Sequence, residues 1–148
     1  MPAFEVPDQE GRAAKSGSHT GRGGKNKLKI MEIIRLRTLT EQNISELLAL
    51  LEVLDDTARV TPQMLRFAAA NETTCLFAAV EEGHILGCAT LCVSCHPLGR
   101  KGGIEDVVVS PTARRKHIGR QLIGHIIEFA REELSPVELQ LTSRPERT

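Results

Sequence analysis

Ile104-Glu105-Asp106-Val107-Val108-Val109-Ser110-Pro111-Thr112-Ala113-Arg114-Arg115-Lys116-His117-Ile118-Gly119-Arg120 is the stretch on which the reading of this chain turns. Ile104 to Val109 is rich in β-branched residues and reads as a buried strand. Ser110-Pro111 ends it. Ile118, Leu122, Ile123, Ile126, Ile127 and Ala130 then recur at helical spacing through Glu133. Between strand and helix lie Arg114, Arg115 and Lys116, followed by His117 and Gly119. A helix start exposes N–H groups without intrahelical partners and carries a partial positive charge. Adjacent basic side chains strengthen the attraction for phosphate, and Gly119 lets a ligand approach the backbone. These residues mark a candidate phosphate or pyrophosphate site. The competing reading is a basic surface turn that caps a helix.

Working outward, Glu32 to Arg37 alternates as a first strand. Ile44, Leu47, Leu48, Leu51 and Leu54 follow at helical spacing, with Thr40 placed as N-cap. Thr61-Pro62 opens a shorter helix through Ala70. Thr73 to Val80 and His84 to Ser94 form a hairpin about Glu81-Glu82-Gly83. Pro97 to Gly103, with three glycines, reads as a loop. After the helix, Ser135-Pro136 is a break and Val137 to Leu141 a last strand. The expected order is β-α-α-β-β-β-α-β. It describes a mixed α/β (α+β) domain with a mostly antiparallel sheet flanked by helices. The strands ending at Val109 and starting at Val137 are expected to run parallel and splay apart.

The 148 residues suit one domain, here 31–148, with ordinary hydrophobic (41%) and charged (26%) fractions. Residues 1–30 differ. Gly11 to Lys29 carries six Lys or Arg and no acid, among many Gly and Ser, and reads as a disordered basic extension. Net charge is zero, so no overall field recruits nucleic acid, and a basic-tail nucleic-acid binder is the lesser reading. No apolar run is long enough to span a bilayer and no apolar signal core appears, so the chain reads as cytoplasmic. Four cysteines fit that compartment as free thiols. Cys88, Cys92, Cys95 and His96 lack the paired spacing of a structural zinc site, so no metal is expected.

Arg114-x-x-His117-x-Gly119 resembles the (Gln/Arg)-x-x-Gly-x-(Gly/Ala) motif of the GNAT superfamily of acetyl-CoA-dependent N-acetyltransferases, which cradles the pyrophosphate of coenzyme A. The preceding Ile-Glu-Asp-Val-Val-Val strand and the Leu141-Thr142-Ser143-Arg144-Pro145-Glu146-Arg147 segment resemble members of the same superfamily, in the same order. The resemblance implies acetyl transfer from acetyl-CoA to a primary amine by direct attack in a ternary complex. It implies that Val107 and Val109 pair with the pantetheine arm and that the N–H of Val108 or a close neighbour polarises the thioester carbonyl. It implies that N–H groups of Arg115, Lys116, His117, Ile118, Gly119 and Arg120, after Arg114, hold pyrophosphate.

Glu105 is the candidate general base, directly or through water. Strand alternation puts Asp106 on the opposite face. His117 departs from the motif, standing where its first Gly is usual. Superfamily members also continue past the last strand through a helix with a catalytic Tyr and two further strands, and these 148 residues contain no Tyr. An incomplete C-terminus implies a sheet edge covered by dimerisation or left at a cost in stability. It also implies coenzyme A binding that outlasts turnover. The rival from another class is therefore an inert coenzyme A-binding or interaction module.

Overall fold

A computed structural model describes residues 30–141, with the backbone alone for 114–116. The basic extension and the Ser143–Arg147 segment lie outside the described residues. Strand β1 (Met31–Leu36) is followed by helix α1 (Glu41–Leu54) and helix α2 (Pro62–Ala70). Strands β2 (Thr74–Glu81), β3 (His84–His96) and β4 (Gly99–Val109) come next. A 3-10 turn (Pro111–Lys116), helix α3 (Ile118–Glu133) and strand β5 (Val137–Leu141) complete the fold.

Local sequence accounts for the helix starts. Thr40 Oγ1 accepts the Asn43 N–H at 3.0 Å and Asn43 Oδ1 accepts the Thr40 N–H at 3.0 Å, a reciprocal cap that satisfies two donors at once. Thr61 Oγ1 accepts the Met64 N–H at 3.2 Å, and Pro62 occupies the first turn, where its missing N–H costs nothing.

The five strands form one sheet in the order β1-β2-β3-β4-β5. Every pairing is antiparallel except β4 with β5, which is parallel from Arg100↔Val137 to Ile104↔Leu141. Helices cover both faces. Leu122, Ile126 and Phe129 of α3, and Leu134 just after it, pack on Phe77, Leu91, Ile104 and Val107. Phe77 and Phe129 meet edge to face at 5.4 Å between centroids. On the other face Ile44, Leu47 and Leu50 of α1 and Leu65 of α2 pack on Leu76, Ile85, Cys88 and Val108. Burial of each such aliphatic side chain contributes about 2 kcal/mol, which is what fixes both helix layers to the sheet.

The expected loop over Pro97–Gly103 is replaced by strand. Pro97 and Leu98 make a two-residue turn, and β4 begins at Gly99, whose φ of +143° suits a residue without Cβ. Gly99 to Ile104 then pairs with β3, and all but Gly99 also pairs with β5 on the other side. Backbone partners on two sides outweigh the poor strand preference of glycine.

Candidate active site

The 3-10 turn leaves β4 tied to its neighbour, because Ser110 N–H donates to Leu86 O at 2.7 Å. Ala113 N–H donates back to Ser110 O at 2.9 Å, tightening the turn, and Ala113 itself is buried. His117 then takes a left-handed conformation, φ 57° and ψ 34°, and α3 starts at Ile118. That conformation is why glycine suits this position and why the His117 departure from the motif is tolerable: histidine is among the residues enriched there. Ile118 is fully buried. It can sit so low because β3 presents Gly87 beneath it; a Cβ there would stand 3.2 Å from Ile118 Cγ2 and 3.0 Å from Val108 O.

At the N-terminus of α3 the His117 side chain makes no capping hydrogen bond, and the first turn carries no acid. The N–H groups of Ile118, Gly119 and Arg120 have no carbonyl four residues earlier within the helix. They and the helix dipole form a place for an anion. Gly119 is buried and Arg120 and His117 are exposed. The backbone of Arg114, Arg115 and Lys116 forms the turn ahead of it. These are features that a pyrophosphate-bearing cofactor fits.

Strand β4 distributes its other candidates between the two faces. Val107 and Val109 point into the α3 layer, and Val108 into the α1 layer. Glu105 is half-buried and stands opposite Thr90 of β3. Its carboxylate leans over Gly103, where a Cβ would lie 3.3 Å from Glu105 Oε2.

The alternation expected for Asp106 is broken. Cys88 pairs with Val108 and Thr90 with Glu105, so Ala89 alone opposes both Asp106 and Val107. Asp106 is the inserted residue of this bulge, with φ 55°. The charges of both Glu105 and Asp106 reach the Cys92 thiol, and that of Asp106 reaches Cys88, which is buried in the α1 layer. The bulge therefore breaks the strict alternation that would set Asp106 on the face opposite Glu105. Asp106 is exposed as a residue, yet the protein around its carboxyl displaces enough water to raise its pKa above the ordinary aspartate value. Nothing in sequence marks such an insertion, because only the count of residues on the facing strand reveals it. Among the described residues, no three His, Cys, Asp or Glu side chains converge as a metal site.

Among curated proteins, none matches this sequence significantly. Solved structures do match in fold. An acetyltransferase from Trypanosoma brucei is 25% identical with a TM-score of 0.61, over 79% of this chain and 85% of that one. Glucosamine-6-phosphate N-acetyltransferase from Arabidopsis thaliana is 24% identical with a TM-score of 0.60, over 79% and 84%. A ribosomal-protein-alanine N-acetyltransferase from Brucella melitensis is 20% identical with a TM-score of 0.62, over 78% and 83%. The profile of the acetyltransferase (GNAT) family matches residues 40–145, a span that holds both the strand–turn–helix unit and the two carboxylates. The chain belongs to the GNAT acetyltransferase family.

Proposed function

We propose that this chain transfers an acetyl group from acetyl-CoA to a primary amine by direct attack in a ternary complex. The observation that carries this reading is the N-terminus of α3, where the His117 side chain makes no capping hydrogen bond and which a turn of three basic residues precedes. Bound there, acetyl-CoA supplies an activated acetyl thioester. The N–H groups from Arg115 to Arg120, following Arg114, hold its pyrophosphate. The main-chain groups of Val107 and Val109 align its arm, and the N–H of Val108 or a close neighbour polarises the carbonyl. Glu105 faces the acceptor, and proton removal from the amine falls to it, directly or through water. The chain works in the cytoplasm on this reading, and no described helix is long and apolar enough to cross a membrane.

Calorimetric titration of the full chain with acetyl-CoA tests this, alongside Arg115→Glu. Micromolar binding that the variant loses supports it, and a folded chain that gives no heat sinks it. A thiol-release assay with amino sugars and peptide N-termini then identifies the acceptor. The alternative reading is a coenzyme A-binding module without turnover. Binding with no thiol release across that panel would select it.

A further inference from the structure

Gly102 and Gly103 are neighbours on β4 and face opposite sides of the sheet. Gly102 points into the α3 layer, where a Cβ would stand 2.9 Å from Leu139 Cδ2 and 3.1 Å from Leu91 Cδ1. Packing accounts for that glycine. Gly103 stands between Cys92 of β3 and Gln140 of β5. The register is unbroken from Ser94↔Lys101 to Thr90↔Glu105, so Gly103 shares its face with Glu105, two residues on. Among the described residues other than its chain neighbours, a Cβ at Gly103 would meet Glu105 alone within 4 Å, with Oε2 at 3.3 Å and Cγ at 4.0 Å.

No fold requirement explains a glycine at this place. Among the described glycines, Gly83 and Gly99 have positive φ and Gly103 does not. A glycine inside a strand weakens it, and here no packed side chain would collide with a larger residue. What the missing Cβ provides is room for one carboxylate. We infer that Gly103 is a positioning residue, which lets the Glu105 carboxylate lie over the strand in the place where it meets the acceptor amine. This rests on the acetyl-transfer reading above, in which Glu105 faces the acceptor.

The contact is tight enough to matter and soft enough to leave the fold intact. At 3.3 Å a methyl group crowds the carboxylate oxygen, which ends a flexible side chain. The side chain would turn to another rotamer before the backbone moved. A reacting group misplaced by about 1 Å can lose about 100-fold in rate. Cys92, exposed and directly opposite Gly103, reports where the carboxylate lies. Burial first, then the charges of Glu105 and Asp106, hold its thiol up, as a carboxylate leaning toward Gly103 requires. The other charges in this part of the face are Lys101 and Glu138, paired across β4 and β5 and both exposed.

The test uses the full chain as wild type, Gly103→Ala, Glu105→Gln and the double variant. Urea midpoints come first, and Gly103→Ala should match or exceed wild type. The pH dependence of Cys92 alkylation is then measured in a Cys95→Ser background, without cofactor or acceptor. Its midpoint reports the charge near the thiol, whereas shielding by the new methyl changes the rate and leaves the midpoint in place. The midpoint should fall in Gly103→Ala and in Glu105→Gln, and the double variant should match Glu105→Gln. In the thiol-release assay Gly103→Ala should lower kcat about 10–100-fold, with KM for acetyl-CoA unchanged. In the Glu105→Gln background it should cost nothing further, because both substitutions act on one group.

Three results would each overturn the inference. One is a markedly lower urea midpoint in Gly103→Ala, which would assign the glycine to packing. Another is a Cys92 midpoint that Gly103→Ala does not move. The third is a loss of rate that adds in full to that of Glu105→Gln. A wild type that binds acetyl-CoA yet releases no thiol is a different failure. It removes the acetyl-transfer reading and the inference with it, while the Cys92 titration still reads the contact by itself.

Discussion

Glu46 of α1 accepts the Ile85 N–H of β3 on Oε1 at 3.0 Å and lies 2.8 Å from His84 Nδ1 through Oε2. One carboxylate thus fastens a helix to the first residues of a strand, and Gln42 Nε2 reinforces it by donating to both Glu46 Oε2 and Gly83 O. Burial alone raises the Glu46 pKa, but the hydrogen bonds from His84, Ile85 and Gln42 outweigh it and hold the carboxyl below the ordinary glutamate value. A depressed folded-state pKa stabilises the fold above the unfolded value and loses that contribution as pH falls through the folded one. Glu46→Gln should therefore lower stability at pH 7 by about 1–2 kcal/mol. The gap to wild type should close below about pH 4. Urea denaturation of both proteins across pH 3–8 measures it. A gap that does not change with pH would contradict this account.

His117 bears on stability through its backbone. At φ 57° a Cβ is a burden of about 1–2 kcal/mol, partly offset in glycine by the greater freedom of the unfolded chain. His117→Gly should be slightly more stable than wild type, and His117→Val clearly less stable, because a β-branched residue tolerates this region least. Denaturation midpoints of the three proteins give the order.

Gly87 sets the height of α3. In Gly87→Ala the new methyl would stand 3.0 Å from Val108 O and 3.2 Å from Ile118 Cγ2, so the helix start must lift. We expect a loss of about 1–3 kcal/mol from overpacking. A several-fold weaker acetyl-CoA affinity should accompany it, since the same helix end is assigned to pyrophosphate. Loss of stability with unchanged affinity would separate the helix start from the cofactor.

The cysteines divide by environment. Burial first, and then Asp106, pushes the Cys88 thiol up to about 12, and burial also raises Cys75. Cys92 and Cys95 are exposed. Native protein should release two equivalents with an aromatic disulfide reagent, and four after denaturation. Cys92 is held up by burial and then by Glu105 and Asp106, so it should react faster in Asp106→Asn. An unchanged rate would place Asp106 away from the Cys92 side of the sheet.

Arg35 is 2% exposed, and its Nη2 donates to Thr74 O at 3.3 Å. Its Nε and Nη1 are buried without hydrogen-bond partners among the described residues, and burial lowers its pKa. Buried donors without acceptors are costly, and an apolar side chain of similar volume removes them. Arg35→Met should raise stability by about 1 kcal/mol, read as a higher urea midpoint with unchanged slope. A marked loss would mean that the guanidinium has work in the fold beyond its bond to Thr74.

Much of this molecule was legible before its tertiary structure. Thr40 and Thr61 mark both early helix starts, because a cap is a local contact between residues three apart. The spacing from Ile118 to Ala130 marks α3, because a single buried face imposes its period on the sequence. The basic turn ahead of that helix was equally readable, since it lies within a few residues of the strand that leads into it. Two features were decided only by the assembled sheet. Gly99 to Gly103 look like a loop by composition and become strand because β3 supplies hydrogen-bond partners along the segment and β5 supplies them from Arg100 onward. Asp106 belongs, by local alternation, on the face opposite Glu105, but an extra residue against Ala89 breaks that alternation. Register is a relation between strands, and the chain's own periodicity carries no record of how many residues the neighbouring strand will place opposite.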